Sequence, residues 1–195
     1  MLPRVLISAA ATPASGDGSV LVLDPRQSHH LVRVLRLHDG ARVECFDGAG
    51  ARFDARIEHA DPKACAIRLG ARVAVDTESP LRITLAQGIS AAERMDWTIE
   101  KAVELGVHAI QPLVTARTQA RFDDERLQRR HEHWQRIVES ACTQCGRDRL
   151  PALAPALGLA RWLGALAPSA PGRRAVLAPQ ASARLAELRI ERSAG

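Results

Sequence analysis

Glu100 and Glu104 stand four residues apart in a stretch of helical periodicity, so two carboxylates share one face, an arrangement that acid–base chemistry uses. Lys101, three residues before Glu104, gives a plainer account of the same residues as an exposed ion pair on a solvated helix face. The adjacent His29 and His30 offer imidazoles for phosphate or proton transfer, against the default of one ring packed in a core. Cys142 and Cys145 have the C-x2-C spacing of half a zinc site. No second ligand pair accompanies them: His131 and His133 are two residues apart and point to different sides of a helix, and Cys45 and Cys65 sit in apolar strand patterns. Reduced, partly buried thiols and no metal are expected.

The formal charge is +5, and arginine supplies almost all the positive side, Lys63 and Lys101 being the only lysines. Guanidinium forks suit bidentate contacts with phosphates and base edges, although scattered surface arginines of a biased composition account for them equally well. Arg33 and Arg36, with Arg4 and Arg42, would form one basic surface, and Arg147 with Arg149 a second just after a long helix. Aromatic residues make up 3% of the chain and tyrosine is absent, so a base-stacking platform is poorly supported and shape and phosphate recognition of a folded RNA is favoured. There is no G-x-S-x-G elbow, no G-x-x-x-x-G-K-[ST] phosphate loop and no G-x-G-x-x-G fingerprint, which speaks against nucleotide hydrolysis and dinucleotide chemistry. No apolar run approaches the roughly 20 residues of a membrane span and the N-terminus lacks a signal-peptide pattern, so a soluble, cytoplasmic protein is expected.

The elements that must position these residues fall into two regimes. Up to about residue 75 short strands dominate. Val20 to Leu23 is a strand ending at Asp24-Pro25, a cap and first turn for a helix to about Leu37 whose apolar face is Leu31, Val34 and Leu35. Val43 to Phe46 and Phe53 to Ile57 flank the hairpin Asp47-Gly48-Ala49-Gly50, and Cys65 to Leu69 returns as a strand, which together predict a small closed or nearly closed barrel. Residues 76–80 read as a linker. From Leu81 the period changes: a strand over Leu81, Ile83 and Leu85, a helix over 93–105 burying Met95, Ile99, Ala102 and Val103, a stop at Gly106 and a strand over Ala109 to Val114 make a parallel βαβ unit. A long helix starts at Asp123 or Asp124 and ends near Gly146. Beyond it come a shorter helix over Leu157 to Leu166, a strand Ala175-Val176-Leu177 and a helix over 182–188.

Taken in order, His30-Leu31-Val32-Arg33-Val34-Leu35-Arg36, Phe46-Asp47-Gly48, Met95-Asp96, Glu100 to Val107 and Gln144-Cys145-Gly146-Arg147 closely resemble the bacterial 16S ribosomal-RNA uridine-N3 methyltransferase family, RsmE. Each motif alone is weak and the ordered set, running from Pro3 to about Pro179, is specific. The resemblance implies an α/β fold with an additional small β-barrel: an N-terminal PUA-like barrel over 1–75, the linker, and an α/β-knot domain of the SPOUT class over 81–195, working as a homodimer. It implies S-adenosylmethionine as cofactor, methyl transfer to N3 of a uridine, and 16S ribosomal RNA or the assembled small subunit as partner. Carried onto this sequence, Arg4, Arg33, Arg36, Lys101, Gln144 and Arg147 are the RNA contacts, and Leu177, Pro179 and Gln180 belong to the first loop facing the methyl donor. The family carries an acidic residue where Thr143 stands and a more basic, glycine-containing loop where Ser90-Ala91-Ala92 stand. It also continues into a Gly-Pro-Glu-Gly-Gly-type loop and a Leu-Arg-x-Glu-Thr-type segment that do not occur here, so the knot is expected to be incomplete in this chain. No residue is assigned as catalytic. The competing readings are a catalytically inactive RNA-binding fragment that lacks the methyl-donor pocket, and a dimeric scaffold.

Overall fold

The computed structural model describes residues 2–8, 18–74, 78–116, 118, 123–166, 174–178, 180–182, 184 and 187. They form two compact units, 1–158 and 159–195, and both the strand-rich half and the α/β half lie in the first. In the strand-rich half, β1 (Arg4–Leu6), β2 (Val20–Val22), β3 (Arg42–Phe46), β4 (Arg52–His59) and β5 (Ala66–Val73) build one sheet in the order β1-β3-β4-β5-β2. Strict alternation curls it around a core: Phe53, Ala55 and Ile57 of β4 point inward and Asp54, Arg56 and Glu58 outward. Register shifts between Phe53 and Ala55 and between Ile57 and His59 bend β4 as a barrel requires. Among the described residues β1 and β2 remain its two edges, giving a half-barrel where the strand spacing suggested closure.

The predicted helix after Asp24 is present but shorter. Asp24 caps α1 (Pro25–His29) by accepting from the Gln27 amide at 2.9 Å, and the chain then widens into a π-helical turn, His30–Val34. Leu35 N–H reaches back five residues to the His30 carbonyl at 2.9 Å and Leu37 N–H six to that of Leu31 at 3.0 Å, which ends the helix before Leu37. The extra residue per turn rotates the side chains after Leu31 away from the core-facing direction an α-helix would give them. Leu31 is buried at 2% exposure, while Val34 and Leu35, expected on the same face, are 57% and 41% exposed.

The α/β half keeps the predicted order. β6 (Thr84–Gly88), α2 (Ala92–Glu104) and β7 (Ala109–Val114) form a parallel unit, with Thr84 opposite Ala109 and Gly88 opposite Leu113. This register starts the strand later than expected, leaving Leu81 and Ile83 outside it and about half exposed. Two-residue strands β8 (Ala152–Leu153) and β9 (Leu157–Gly158) both pair with β7. α3 (Asp124–Cys145) is capped by Asp123, which accepts from the Arg126 amide at 2.7 Å, and stopped by Gly146 at φ 89°. α2 presents Met95, Ile99 and Val103 to Trp134, Val138 and Cys142 of α3, all essentially unexposed.

The second unit contains α4 (Leu159–Ala165), inside the predicted helix over 157–166. The predicted strand at 175–177 is not formed: 174–178 has no regular pairing and is exposed, and a strand without a partner edge has no ladder to hold it. Most of the predicted helix over 182–188 lies outside the described residues.

Candidate nucleic-acid interface

The expected RNA contacts divide by burial. Arg33 lies on the π turn and Arg36 just after it, both exposed beside Val34 and Leu35. Arg36 has φ 55°, the left-handed region that a side chain rarely occupies outside special turns. Single π turns and strained non-glycine residues concentrate where a protein meets a ligand. Among the described residues neither guanidinium forms an ion pair, so the segment presents two cations and two apolar side chains to solvent. Gln144 is exposed on the last turn of α3, and Lys101 is held on the surface of α2 by Glu104 at 2.8 Å and Glu100 at 3.0 Å. The hydrogen bonds to Glu104 and Glu100 push the Lys101 ammonium above its ordinary value, and the two glutamates are the ion-pair partners that their spacing suggested.

Arg4 and Arg147 are inside, which removes them from an RNA surface. β1 pairs parallel with β3, so Val5 and Ile7 enter the half-barrel core while Arg4 and Leu6 face the α/β half. Arg4 donates to Glu44 at 2.6 Å, to Asp148 at 2.5 Å and to the Cys142 carbonyl at 2.7 Å, and stacks over the Phe46 ring at 4.4 Å. Arg52 reaches the same Asp148 carboxylate at 2.8 Å and the Gly146 carbonyl at 3.1 Å, and its bond to Asp148 pushes its guanidinium above the ordinary value. Arg147 donates to Glu78 at 2.6 Å and to the Val103 and Val107 carbonyls at 3.0 Å each. Burial draws the Arg147 guanidinium down, and the hydrogen bond and charge of Glu78, with Cys142 and Cys145 adding, hold it above its ordinary value. The hairpin Gly48-Ala49 bridges Arg149, and Gly50 at φ 109° has the Arg149 guanidinium 2.6 Å from where a Cβ would stand. Sequence reading missed Glu44, Arg52, Glu78 and Asp148, because partners separated by up to 144 residues leave no local spacing.

A second charged feature was also missed, though its spacing is legible. Arg126, Arg129, Arg130 and His133 recur at i, i+3, i+4 and i+7 along α3 and, with Ala92, Asp96 and Trp134, line a cleft of about 240 Å³ against the start of α2. Asp96 receives His133 Nε2 at 2.8 Å across the helices, while Arg129 pairs with Glu125 on the outer side. The N-cap of α2 is Ala91, in the loop that departs from the family pattern, and its side chain offers no acceptor. Thr143, the other departure, turns its hydroxyl into its own helix, donating to the Glu139 carbonyl at 2.8 Å.

The four cysteines are free thiols, and among the described residues no cluster of three or more metal-ligating groups occurs. Burial pushes Cys45 and Cys142 up to about 12, with Glu44 adding to the effect at Cys45. No helix of the described residues is long and apolar enough to cross a membrane. Of the expected cofactor loop, Leu177 is 80% exposed, Gln180 is exposed and Pro179 lies outside the described residues. Among the described residues, Leu177 and Gln180 are open to solvent and do not by themselves enclose a ligand.

Comparison with known proteins agrees with this layout. Residues 23–70 match the RNA methyltransferase PUA domain family and residues 77–194 the RNA methyltransferase domain family. Ribosomal RNA small subunit methyltransferase E of Buchnera aphidicola (subsp. Acyrthosiphon pisum) is 31% identical over 147 residues, 72% of this chain and 55% of its own length. That of Synechocystis sp. is 33% identical over 145 residues, 74% of this chain and 46% of its own. The chain thus spans about half the length of the curated relatives it matches. Among solved structures, the same enzyme of Neisseria gonorrhoeae bound to S-adenosyl methionine superposes with a TM-score of 0.78 at 35% identity, covering 86% of this chain and 67% of that one. A Legionella pneumophila methyltransferase with bound SAM gives 0.79 at 34% identity, covering 85% and 67%.

Proposed function

We propose, from the premise that this chain belongs to the ribosomal RNA small subunit methyltransferase E family of RNA methyltransferases, that it serves S-adenosylmethionine-dependent methylation of a uridine N3 in 16S ribosomal RNA. The observation that carries the RNA half of this reading is the exposed, cationic π turn with Arg33 and Arg36 on the PUA half. Its left-handed Arg36 and solvent-facing Val34 and Leu35 have no role in the core and suit a surface that meets a backbone and a base edge. Lys101 and Gln144 would add contacts from the α/β half once RNA displaces the surface ion pairs of Lys101, which are weak in water. The donor would supply an electrophilic methyl group. N3 of uridine carries a proton that must leave, and no residue is assigned to that transfer. The partner is the small ribosomal subunit or its RNA, the location cytoplasmic, and the working form a homodimer. The domains proposed are the barrel over 1–75, the linker over 76–80 and the α/β part over 81–195.

Incubating small subunits that lack the modification with labelled donor and the protein, and analysing digested RNA by mass spectrometry, is expected to yield N3-methyluridine. Methylation at another atom or of another RNA would refute the assignment. The accompanying Arg33→Ala/Arg36→Ala variant should weaken RNA binding and lower the slope of log K against log salt by about 1.4–1.8, the loss of two phosphate contacts. An unchanged slope removes the π turn from the interface.

A further inference from the structure

We propose that the cleft between the start of α2 and the first half of α3 is a second RNA-backbone site, in which Arg126, Arg129 and Arg130 hold phosphates that the π turn does not reach. The proposal rests on the reading of RNA as the substrate class and adds a surface whose arginines lie outside the family's ordered motifs. Arg126 to Arg130 covers about 6 Å of helix axis, a length along which one strand of a duplex presents about two phosphates. The stripe lies on one face because its members are three or four residues apart, and that face borders an opening of about 240 Å³ instead of packing shut.

Charge decides the occupant. Among the described residues Arg126 forms no ion pair, and the Arg129 partnership with Glu125 is between side chains 61% and 79% exposed, which an incoming phosphate can replace at little expense. The carboxylate on the inner wall, Asp96, accepts from His133 at 2.8 Å through one oxygen while its other oxygen is buried without a hydrogen-bond partner, and as the single acid of the lining it is outnumbered by the three arginines. The ring in the cleft, Trp134, is 1% exposed and forms the floor, leaving no open aromatic face on which a base could stack. The ligand is therefore read through its backbone, as bidentate guanidinium–phosphate pairs allow.

The experiment uses the 195-residue protein, a small-subunit RNA hairpin followed by fluorescence anisotropy from low to moderate salt, and polyglutamate of equal charge as competitor. Arg126→Ala/Arg130→Ala is expected to weaken binding roughly tenfold or more and to lower the salt slope by about 1.4–1.8, and because Arg130 is half-buried the thermal midpoint is recorded beside the slope, which packing alone would not move. Combined with Arg33→Ala/Arg36→Ala the slope losses should add. Charge retention in Arg126→Lys/Arg130→Lys should keep most of the slope while losing the bidentate part of the affinity. An unchanged slope in the Arg126/Arg130 variant, with the Arg33/Arg36 variant impaired, overturns the cleft and leaves the RNA reading standing. Polyglutamate that displaces the RNA as well as RNA displaces itself, in a manner abolished by the cleft variant, gives the stripe to an acidic protein and overturns the proposal as well. RNA binding through both surfaces without uridine methylation would instead defeat the proposed reaction and keep the site.

Discussion

Two sets of arginines in one chain do opposite work. Arg4, Arg52 and Arg147 are drawn into the seam between the half-barrel and the α/β half, where carboxylates and main-chain carbonyls use their donors. Arg33, Arg36 and Arg126 stand in water without an ion pair among the described residues. The residue type is the same and the difference lies in what the strand or helix behind it faces. β1 has both faces covered, so its outward arginine is walled in. The π turn and the open side of α3 have one face covered, and their arginines stay available to a polyanion. A basic composition thus overstates the surface offered to RNA, and burial is needed to divide cement from contact.

The comparison breaks most visibly at Asp148, which is 3% exposed and serves both Arg4 and Arg52. Asp148→Ala leaves the buried Arg4 guanidinium and the half-buried Arg52 guanidinium short of a partner and is expected to cost about 3–5 kcal/mol in urea unfolding. A loss under about 1 kcal/mol would show that the seam does not hold the halves together. Alkaline pH tests the same buried zone through Cys45 and Cys142. Their folded values near 12 exceed the ordinary thiol value of 9.0, so above pH 9 the unfolded chain releases these protons while the folded chain keeps them. The unfolded state then binds fewer protons and stability falls as pH rises, by about 1.4 kcal/mol per pH unit for each thiol between those two values. Cys45→Ala should flatten that fall, and a pH-independent midpoint from 9 to 11 would contradict the burial.

Smaller effects sharpen the exposed side. Arg36→Gly removes a side chain from a backbone at φ 55° and should change stability by no more than about 1 kcal/mol, in the favourable direction if the strain relieved exceeds the entropy gained by the unfolded chain, while RNA affinity falls. Preserved affinity would separate the strained turn from the interface. Lys101→Met should shift stability by less than about 0.5 kcal/mol, as its partners are surface glutamates, and a larger loss would place Lys101 with the structural set.

The α/β half was the more legible. Met95, Ile99 and Val103 announce α2 at i, i+4 and i+8, and Asp123 and Gly146 mark the two ends of α3, because caps and helical periodicity are local physics. The hairpin around Asp47-Gly48 was equally plain from its turn residues and the alternation of β4. The π turn left no such mark. Its residues suit an ordinary helix, and only the wider bonding of Leu35 and Leu37 showed that Val34 and Leu35 leave the core. Of the candidate site, the sequence by itself determined that Arg33, Arg36, Lys101 and Gln144 exist at the family's spacing, and it held the Arg126-to-His133 stripe in readable form. Tertiary structure alone decided that Arg4 and Arg147 are interior. Pairing of β1 with β3 aims Arg4 at a helix more than a hundred residues away, and the charge of a guanidinium is tolerable there only because Asp148 and Glu44 arrive from other elements to meet it.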